Sequence, residues 1–440
     1  MPSPNAAQND WIRQTLGVDI AALAGGDVES GKDAAPEVED EPELVKWPFS
    51  RKKTKGSRSK KSGGDTPVPK DKELAERLKN LVEKLKALDK LGLDTAQMEA
   101  NGADLARAGV KAEQIDEKDA REKAVGRVKD RIDEALDHAK ALADSFAKIM
   151  KDKKGKPSGK QKSEIYKTAI EDFYDIKVTV PEGMDNTHLD RVFDMFGSVP
   201  KEHVKHSKLT DLKYFKDKYK GGGAYNSGEC AIKMGDFGRA KKKEDYEIDG
   251  EVLPVNSFNV TTLHEVGHAI DAKKGIMKNH RGKAGCGGWN SETLDSVTAA
   301  YVGDLKKAGG FSDKVTEAML TDVVKAALKS GTTEQPDKIG NSDWKPIIKY
   351  LVDKCLPMRD SAQPYFSDTP VALGDRVFTE SSPGYWWSYS KSARASTKVN
   401  LYQWRSPPEW FAEVYAISWL KKKKPPKAVD AAAAEYMWQE

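Results

Sequence analysis

The sequence predicts an α+β chain built in several parts, and three observations carry that prediction. Apolar residues recur at spacings of three and four through a half rich in Ala, Lys, Glu and Leu; a Gly-punctuated stretch with strand-like alternation comes later; and a His-Glu-x-x-His segment at 264–268 follows on an expected helix. At 440 residues the chain is long enough for two or three domains. Only 38% of it is apolar and 32% is charged, which assigns much of its length to solvated helix or disorder rather than core. The net charge of +4 is small against 73 basic and 69 acidic residues and makes no case for nucleic acid as a partner. Cys230, Cys286 and Cys355 form no C-x-x-C pair, a sparse odd set that suits a reducing cytosol. The amino terminus lacks a basic region followed by an apolar run, and no stretch approaches 18 apolar residues. Synthesis in the cytoplasm without a signal peptide and without a transmembrane segment is therefore expected, with any export using a route that needs no cleaved signal.

Taken in order, residues 1–24 place Trp11, Ile12, Leu16, Val18 and Ile20 in a short amphipathic pattern, either a frayed terminal helix or a docking or export tag. Residues 25–70, acidic and then basic, read as a disordered charged linker. Residues 71–152 read as a helical hairpin or bundle: Leu74, Leu78, Leu81, Leu85 and Leu88 stripe one helix, a break spans Gly92–Gly102 with another near Gly109, and a second helix runs Asp119–Met150. His138 on that helix reads as a surface or packing residue. Residues 153–164 read as a basic hinge before a domain spanning 165–440. That domain opens with a strand at Ile176–Val180 and a helix near Asn186, and Gly221–Gly238 reads as a strand or hairpin. A Gly-rich strand here, with Gly223, Ala224 and Tyr225, could take an extended peptide by backbone hydrogen bonding; an ordinary hairpin fits equally. Helices are expected near Glu292–Lys307 and Lys314–Lys329.

The chemistry is concentrated in Thr261–Asp271, TTLHEVGHAID. Residues four apart share a helix face, so His264 and His268 point at one spot beside Glu265. Two imidazoles can hold a Zn2+ ion that lacks one protein ligand and keeps one position for water, and Glu265 is placed to take a proton from that water. Asp271 cannot be the third ligand, because His264, His268 and Asp271 form a line along one helix and a line cannot close a tetrahedron; it reads as a supporting carboxylate or a helix-packing residue. Six residues past His268 lies Lys274, which cannot ligate while charged, so the metzincin spacing is excluded. Far downstream, Pro407 and Pro408 suit a helix start, and Glu409 and Glu413 share a face of an amphipathic helix carrying Trp410, Val414, Ile417 and Trp419. One of these carboxylates can bind the metal while the other accepts a hydrogen bond from the far nitrogen of a ligating His.

HEVGHAID followed well over a hundred residues later by Y-x6-E-x-F-A-E resembles the catalytic domain of the anthrax lethal factor family, a branch of the gluzincin metallopeptidases found among bacterial toxins. The resemblance implies a zincin-type metallopeptidase fold over 165–440 with His264, His268 and Glu409 as zinc ligands and Glu265 as general base. It also implies Glu413 as the carboxylate behind the ligands and Tyr402 as the phenol that hydrogen-bonds the developing oxyanion. The segment between the motifs is longer here, with an apparent insertion through Gly331–Gly384, and nothing upstream resembles a receptor-binding domain. The expected function is a zinc-dependent endopeptidase acting as a bacterial toxin or translocated effector on a protein or peptide, with secretion machinery or an immunity protein as candidate partners. A fragment starting at residue 160 is expected to keep hydrolysis. The alternatives are a gluzincin aminopeptidase, which calls for a G-x-M-E-N segment where this chain has G-A-Y-N at Gly223–Asn226, and an inactive adaptor whose helical half binds a partner.

Overall fold

The computed structural model describes residues 44–45, 66–151, 155–182, 188–205, 207–214, 223–235, 243–248, 251–358 and 367–438. The amphipathic segment expected in 1–24 and most of the linker expected in 25–70 lie outside the described residues. The described residues of that linker include two short strands, β1 (Leu44–Val45) and β2 (Thr66–Pro67), paired antiparallel.

Helix α1 (Lys72–Lys90) starts where the Asp71 carboxylate accepts from the Leu74 N–H at 2.8 Å, and its five-leucine stripe is buried as expected. The stretch expected to be broken is instead largely a second helix, α2 (Ala96–Glu113). Its glycines are explained by closeness rather than by turns. A Cβ on Gly109 would lie 2.6 Å from Leu74 Cδ2, and one on Gly102 would lie 3.3 Å from Leu81 Cδ2. These positions let α2 lie against α1, and the packing outweighs about 1 kcal/mol of helix propensity per glycine. Helix α3 (Lys118–Met150) completes a three-helix layer, and α4 (Gly159–Tyr174) begins inside the expected hinge, because Ser158 and Gln161 form a capping box. His138 of α3 is a packing residue: its ring stacks on Phe193 at 3.7 Å and Nδ1 lies 3.0 Å from the Tyr174 hydroxyl.

The expected division at 153–164 does not separate two cores. Leu81, Leu85, Ala139 and Leu142 from the helical half share one apolar cluster with Val266 and Phe411 from the downstream half. Residues Leu44–Glu440 form one compact unit. The physical reason is α4, whose Ile165, Tyr166, Ala169 and Ile170 bury against both sides.

Next come β3 (Lys177–Thr179), α5 (Leu189–Ser198), α6 (Lys201–Lys205), β4 (Asp211–Tyr214), β5 (Gly223–Asn226) and β6 (Ala231–Met234). The expected hairpin is present: β5 and β6 pair antiparallel with Gly223 opposite Met234 and Asn226 opposite Ala231. It belongs to a four-stranded sheet of order β3-β4-β6-β5, otherwise parallel, with β5 at the edge. A second hairpin, β7 (Lys243–Ile248) and β8 (Glu251–Asn256), runs directly into α7 (Ser257–Lys274).

Beyond α8 (Ile276–His280), strand β9 (Asn290–Glu292) takes Glu292, the residue expected to start a helix, and α9 (Leu294–Ala308) begins two residues later behind a Thr293 cap. With α10 (Glu317–Ser330), α11 (Asn341–Tyr350) and β10 (Arg376–Ser382), α9 builds a second core around Tyr301, Val324, Ile347 and Phe378. The apparent insertion therefore packs with α9 and α10 in one second core. Strand β11 (Tyr385–Ser390) lies between β10 and β9, and α12 (Lys391–Thr397), α13 (Pro407–Lys421) and α14 (Ala431–Ala434) end the chain.

The expectation of an amphipathic α13 is corrected. Phe411, Ala412, Tyr415 and Ala416 are as fully buried as Trp410, Val414 and Ile417, so the helix is enclosed on all faces. It packs on α7, and the two backbones come closest at Gly267, where a Cβ would lie 2.9 Å from Ala412 Cα. A backbone atom cannot rotate away. Gly267→Ala is expected to lower stability by about 1–3 kcal/mol, whereas Gly126→Ala, in an open part of α3 with nothing within 4 Å, is expected to raise it by about 0.5–1 kcal/mol. Urea unfolding of the two variants checks the contrast, and equal effects would contradict the close crossing.

Candidate metal centre

Helix α7 is placed by its ends. The Asn256 side chain accepts from the Phe258 and Asn259 N–H groups at 3.1 and 3.3 Å, and Gly275 ends the helix at φ 67°. The Asp271 Oδ1 atom accepts from the Met277 N–H at 2.7 Å, so this carboxylate holds the turn after the helix, although it also borders the cavity. Between these ends His264 and His268 point the same way, as their spacing dictates. Their Nε2 atoms lie 3.0 Å apart.

Helix α13 brings Glu409 to the same point. Glu409 Oε2 lies 2.9 Å from His264 Nε2 and 3.2 Å from His268 Nε2. In a tetrahedral set with bonds of about 2.0–2.1 Å, donor atoms stand about 3.3 Å from one another. The triangle here is slightly tighter and close to equilateral. The chemistry of the donors fits as well: lone pairs of two neutral imidazoles and a carboxylate oxygen repel at these distances unless positive charge sits among them. Burial disfavours a charged His264, but the Glu413 and Glu409 carboxylates outweigh it and hold its pKa well above the ordinary imidazole range. Burial also opposes charge on Glu409, and His268 and His264 overcome this and hold it well below the usual carboxylate range. A proton and a metal ion would compete for the same field.

The carboxylate behind the ligands is Glu413. Its Oε1 lies 2.9 Å from His264 Nδ1, and its Oε2 accepts from the Asn400 amide at 2.6 Å. A proton on Nδ1 leaves the Nε2 lone pair facing Glu409. The two carboxylates that sequence spacing left interchangeable are thus separated by position. Glu409→Ala is expected to abolish zinc binding, and Glu413→Ala to weaken it about 10- to 100-fold; competition with a chelating dye measures both, and the opposite ranking would exchange their roles.

Glu265 is 4% exposed, and its Oε2 has no hydrogen-bond partner. Its ligand atom lies within 4.8 Å of those of His264 and His268. Burial raises its pKa, partly offset by the two imidazoles and by a backbone hydrogen bond from Tyr225. The Tyr402 hydroxyl donates to Glu409 Oε1 at 3.3 Å and accepts from Arg405 Nη1 at 2.7 Å. Burial and Glu409 raise the phenol's pKa, which keeps it a donor at neutral pH.

These groups line a cavity of about 560 Å³ together with Gly223, Ala224 and Tyr225 of β5. Gly223 is there because nothing larger fits: a Cβ would lie 2.5 Å from Thr261 Cγ2 and 3.1 Å from Glu265 Oε1. Tyr225 contributes backbone, since its hydroxyl is turned to the Lys208 carbonyl at 3.2 Å. Every residue expected at the centre is therefore brought to this cavity or directly behind it. Two residues were missed, Asn400 and Arg405. The signal for Arg405 was its i,i+4 spacing to Glu409; Asn400, in an irregular loop, offered none. His280 and Cys286 stand elsewhere: His280 faces Asp430 at 3.8 Å, and burial pushes the Cys286 thiol up to about 12.

No protein-family model, curated protein or solved structure matches the chain. No described helix is long and apolar enough to cross a membrane.

Proposed function

We propose that the chain is a zinc-dependent endopeptidase, of the gluzincin kind that its two motifs resemble, and that it acts as a toxin or translocated effector by cleaving a protein of its target cell. The observation that carries the reading is the convergence of His264 Nε2, His268 Nε2 and Glu409 Oε2 within 3.2 Å of one another beside the Glu265 carboxylate, whose Oε2 has no hydrogen-bond partner. Zinc held by these three residues supplies a Lewis acid for the scissile carbonyl and lowers the pKa of water. Glu265 takes the proton from the attacking water and delivers it to the leaving amine. Tyr402, positioned by Arg405, donates its O–H to the oxygen on which charge develops. The edge strand β5 offers backbone groups to an extended peptide, and Gly223 lets that strand lie close against Thr261 and Glu265.

The resemblance alone supports the toxin context. The deciding experiment compares new protein amino termini in cells expressing the wild type and the Glu265→Ala variant. Internal cleavage sites are expected in the wild type only. Trimming of single terminal residues would favour an aminopeptidase, and identical profiles would favour an adaptor.

A further inference from the structure

Strand β11 stands between the two cores, and its pleat sorts successive side chains to opposite sides. Trp386 is buried in the second core, whereas Tyr389 lies in the first and Trp387 packs against it. That first core also holds Leu263 of α7 and Val414 of α13, the helices that carry the candidate ligands. Tyr385 is the next residue of the Tyr389–Trp387 row, and there the row leaves the core. At 68% it is the most exposed large apolar side chain among the described residues.

The turn fixes where this side chain stands. Pro383 and Gly384 join Ser382 to its cross-strand partner Tyr385, with Gly384 at φ 83° as a tight turn of this composition requires. The Gly384 N–H donates to Glu380 Oε1 at 2.7 Å, and Ser381 Oγ donates to the Tyr385 carbonyl at 3.2 Å. The same hairpin touches the wall of the metal cavity. Arg405, which lines that cavity, donates through Nε to the Ser381 carbonyl at 3.2 Å and through Nη1 to the Tyr402 hydroxyl at 2.7 Å. A single exposed apolar side chain needs no explanation by itself. This one is set apart by its place, three contacts from Tyr402 by way of Arg405 and Ser381.

We propose that the β10–β11 hairpin is a substrate-recognition wall of the cleft and that Tyr385 takes an apolar side chain, aromatic or branched aliphatic, a few residues from the scissile bond. The inference rests on the peptidase reading and adds a substrate class to it. Tyrosine offers a large, stiff contact surface at small entropic cost, which is why it recurs where binding energy is concentrated. Around it, Glu380 and Ser381 bond within the hairpin and Arg405 bonds to Ser381 and Tyr402, so the ring is the surface that the tip offers to a passing chain. Backbone pairing along β5 is indifferent to sequence, whereas a side-chain contact at Tyr385 is selective.

The test uses the full-length, zinc-loaded chain and a proteome-derived peptide library, with cleavage sites read by mass spectrometry. The wild type is expected to enrich apolar residues at one position beside the cleaved bond. On the best-cleaved peptide, Tyr385→Ala is expected to raise KM about tenfold with kcat within about twofold, the mark of a contact made equally in ground and transition states. It is also expected to lose the enrichment, while zinc stoichiometry and Tm stay unchanged and Tyr385→Phe behaves as wild type. Tyr385→Arg is expected to shift the preference at that position toward acidic residues, a change that a purely structural role would not produce. Unchanged KM and site preference in both Tyr385→Ala and Tyr385→Arg would overturn the proposal while leaving the peptidase reading intact, and a dimer lost in Tyr385→Ala at unchanged KM would assign the residue to self-association instead. No cleavage by the wild type would overturn the peptidase reading and this proposal with it.

Discussion

Glu265→Ala is expected to lower kcat/KM for a protein substrate by about 10²- to 10⁴-fold, the usual worth of a positioned general base, while zinc stoichiometry stays near one. The two halves of this expectation have separate causes. The ligand triangle is made by His264, His268 and Glu409, so deleting the Glu265 carboxylate leaves the three donor atoms in place. The carboxylate itself is 4% exposed with one oxygen unpartnered, and its burial raises its pKa toward the range in which a base both accepts and releases a proton. Glu265→Gln separates chemistry from packing, because it keeps the volume beside Gly223 and removes only the base. Both variants are expected to lose the same activity and to unfold at nearly the wild-type temperature. Hydrolysis within a few-fold of wild type in either, at full zinc occupancy, would assign the proton transfer elsewhere.

The candidate centre was more legible in the sequence than the fold around it, and the reason is the range of the interactions involved. His264 and His268 are related by helix periodicity, and Glu409 and Glu413 by the same periodicity behind two prolines, so local rules set each pair. What brings the pairs together is the close crossing at Gly267 and Ala412, a tertiary contact that no periodicity encodes. Helix α2 was hidden because Gly102 and Gly109 look like breaks until Leu81 and Leu74 are seen pressed against them. Strand β9 was hidden because its partner β11 lies almost a hundred residues away, a pairing reinforced by Ser388 donating to Glu292 at 2.6 Å. The amphipathic reading of α13 failed because a helix enclosed on every face shows no polar side to contrast with.

A fragment of residues 160–440 is expected to be unfolded or aggregated, which reverses the expectation of an independently active domain. The helical half contributes Leu81, Leu85, Leu88, Leu93 and Leu142 to the same core that holds α7 and α13. At about 1.5–3 kcal/mol for each buried leucine, their loss alone matches the net stability of about 5–15 kcal/mol that domains possess. The loss is also one-sided. The fragment keeps Ile165, Tyr166, Ala169 and Phe193, all at most 2% exposed in the intact chain, and turns them toward water. His138 leaves the face of Phe193, where its ring stacks at 3.7 Å and fills the space above Gly197. Such an apolar face promotes association rather than a stable smaller fold. A fragment starting at Leu44 retains all of these core residues and is the matched control. Circular dichroism during heating is expected to show one cooperative transition for the control and none for 160–440; a sharp transition within a few degrees of the control would establish that the downstream half folds alone and that the shared core is an interface between two domains.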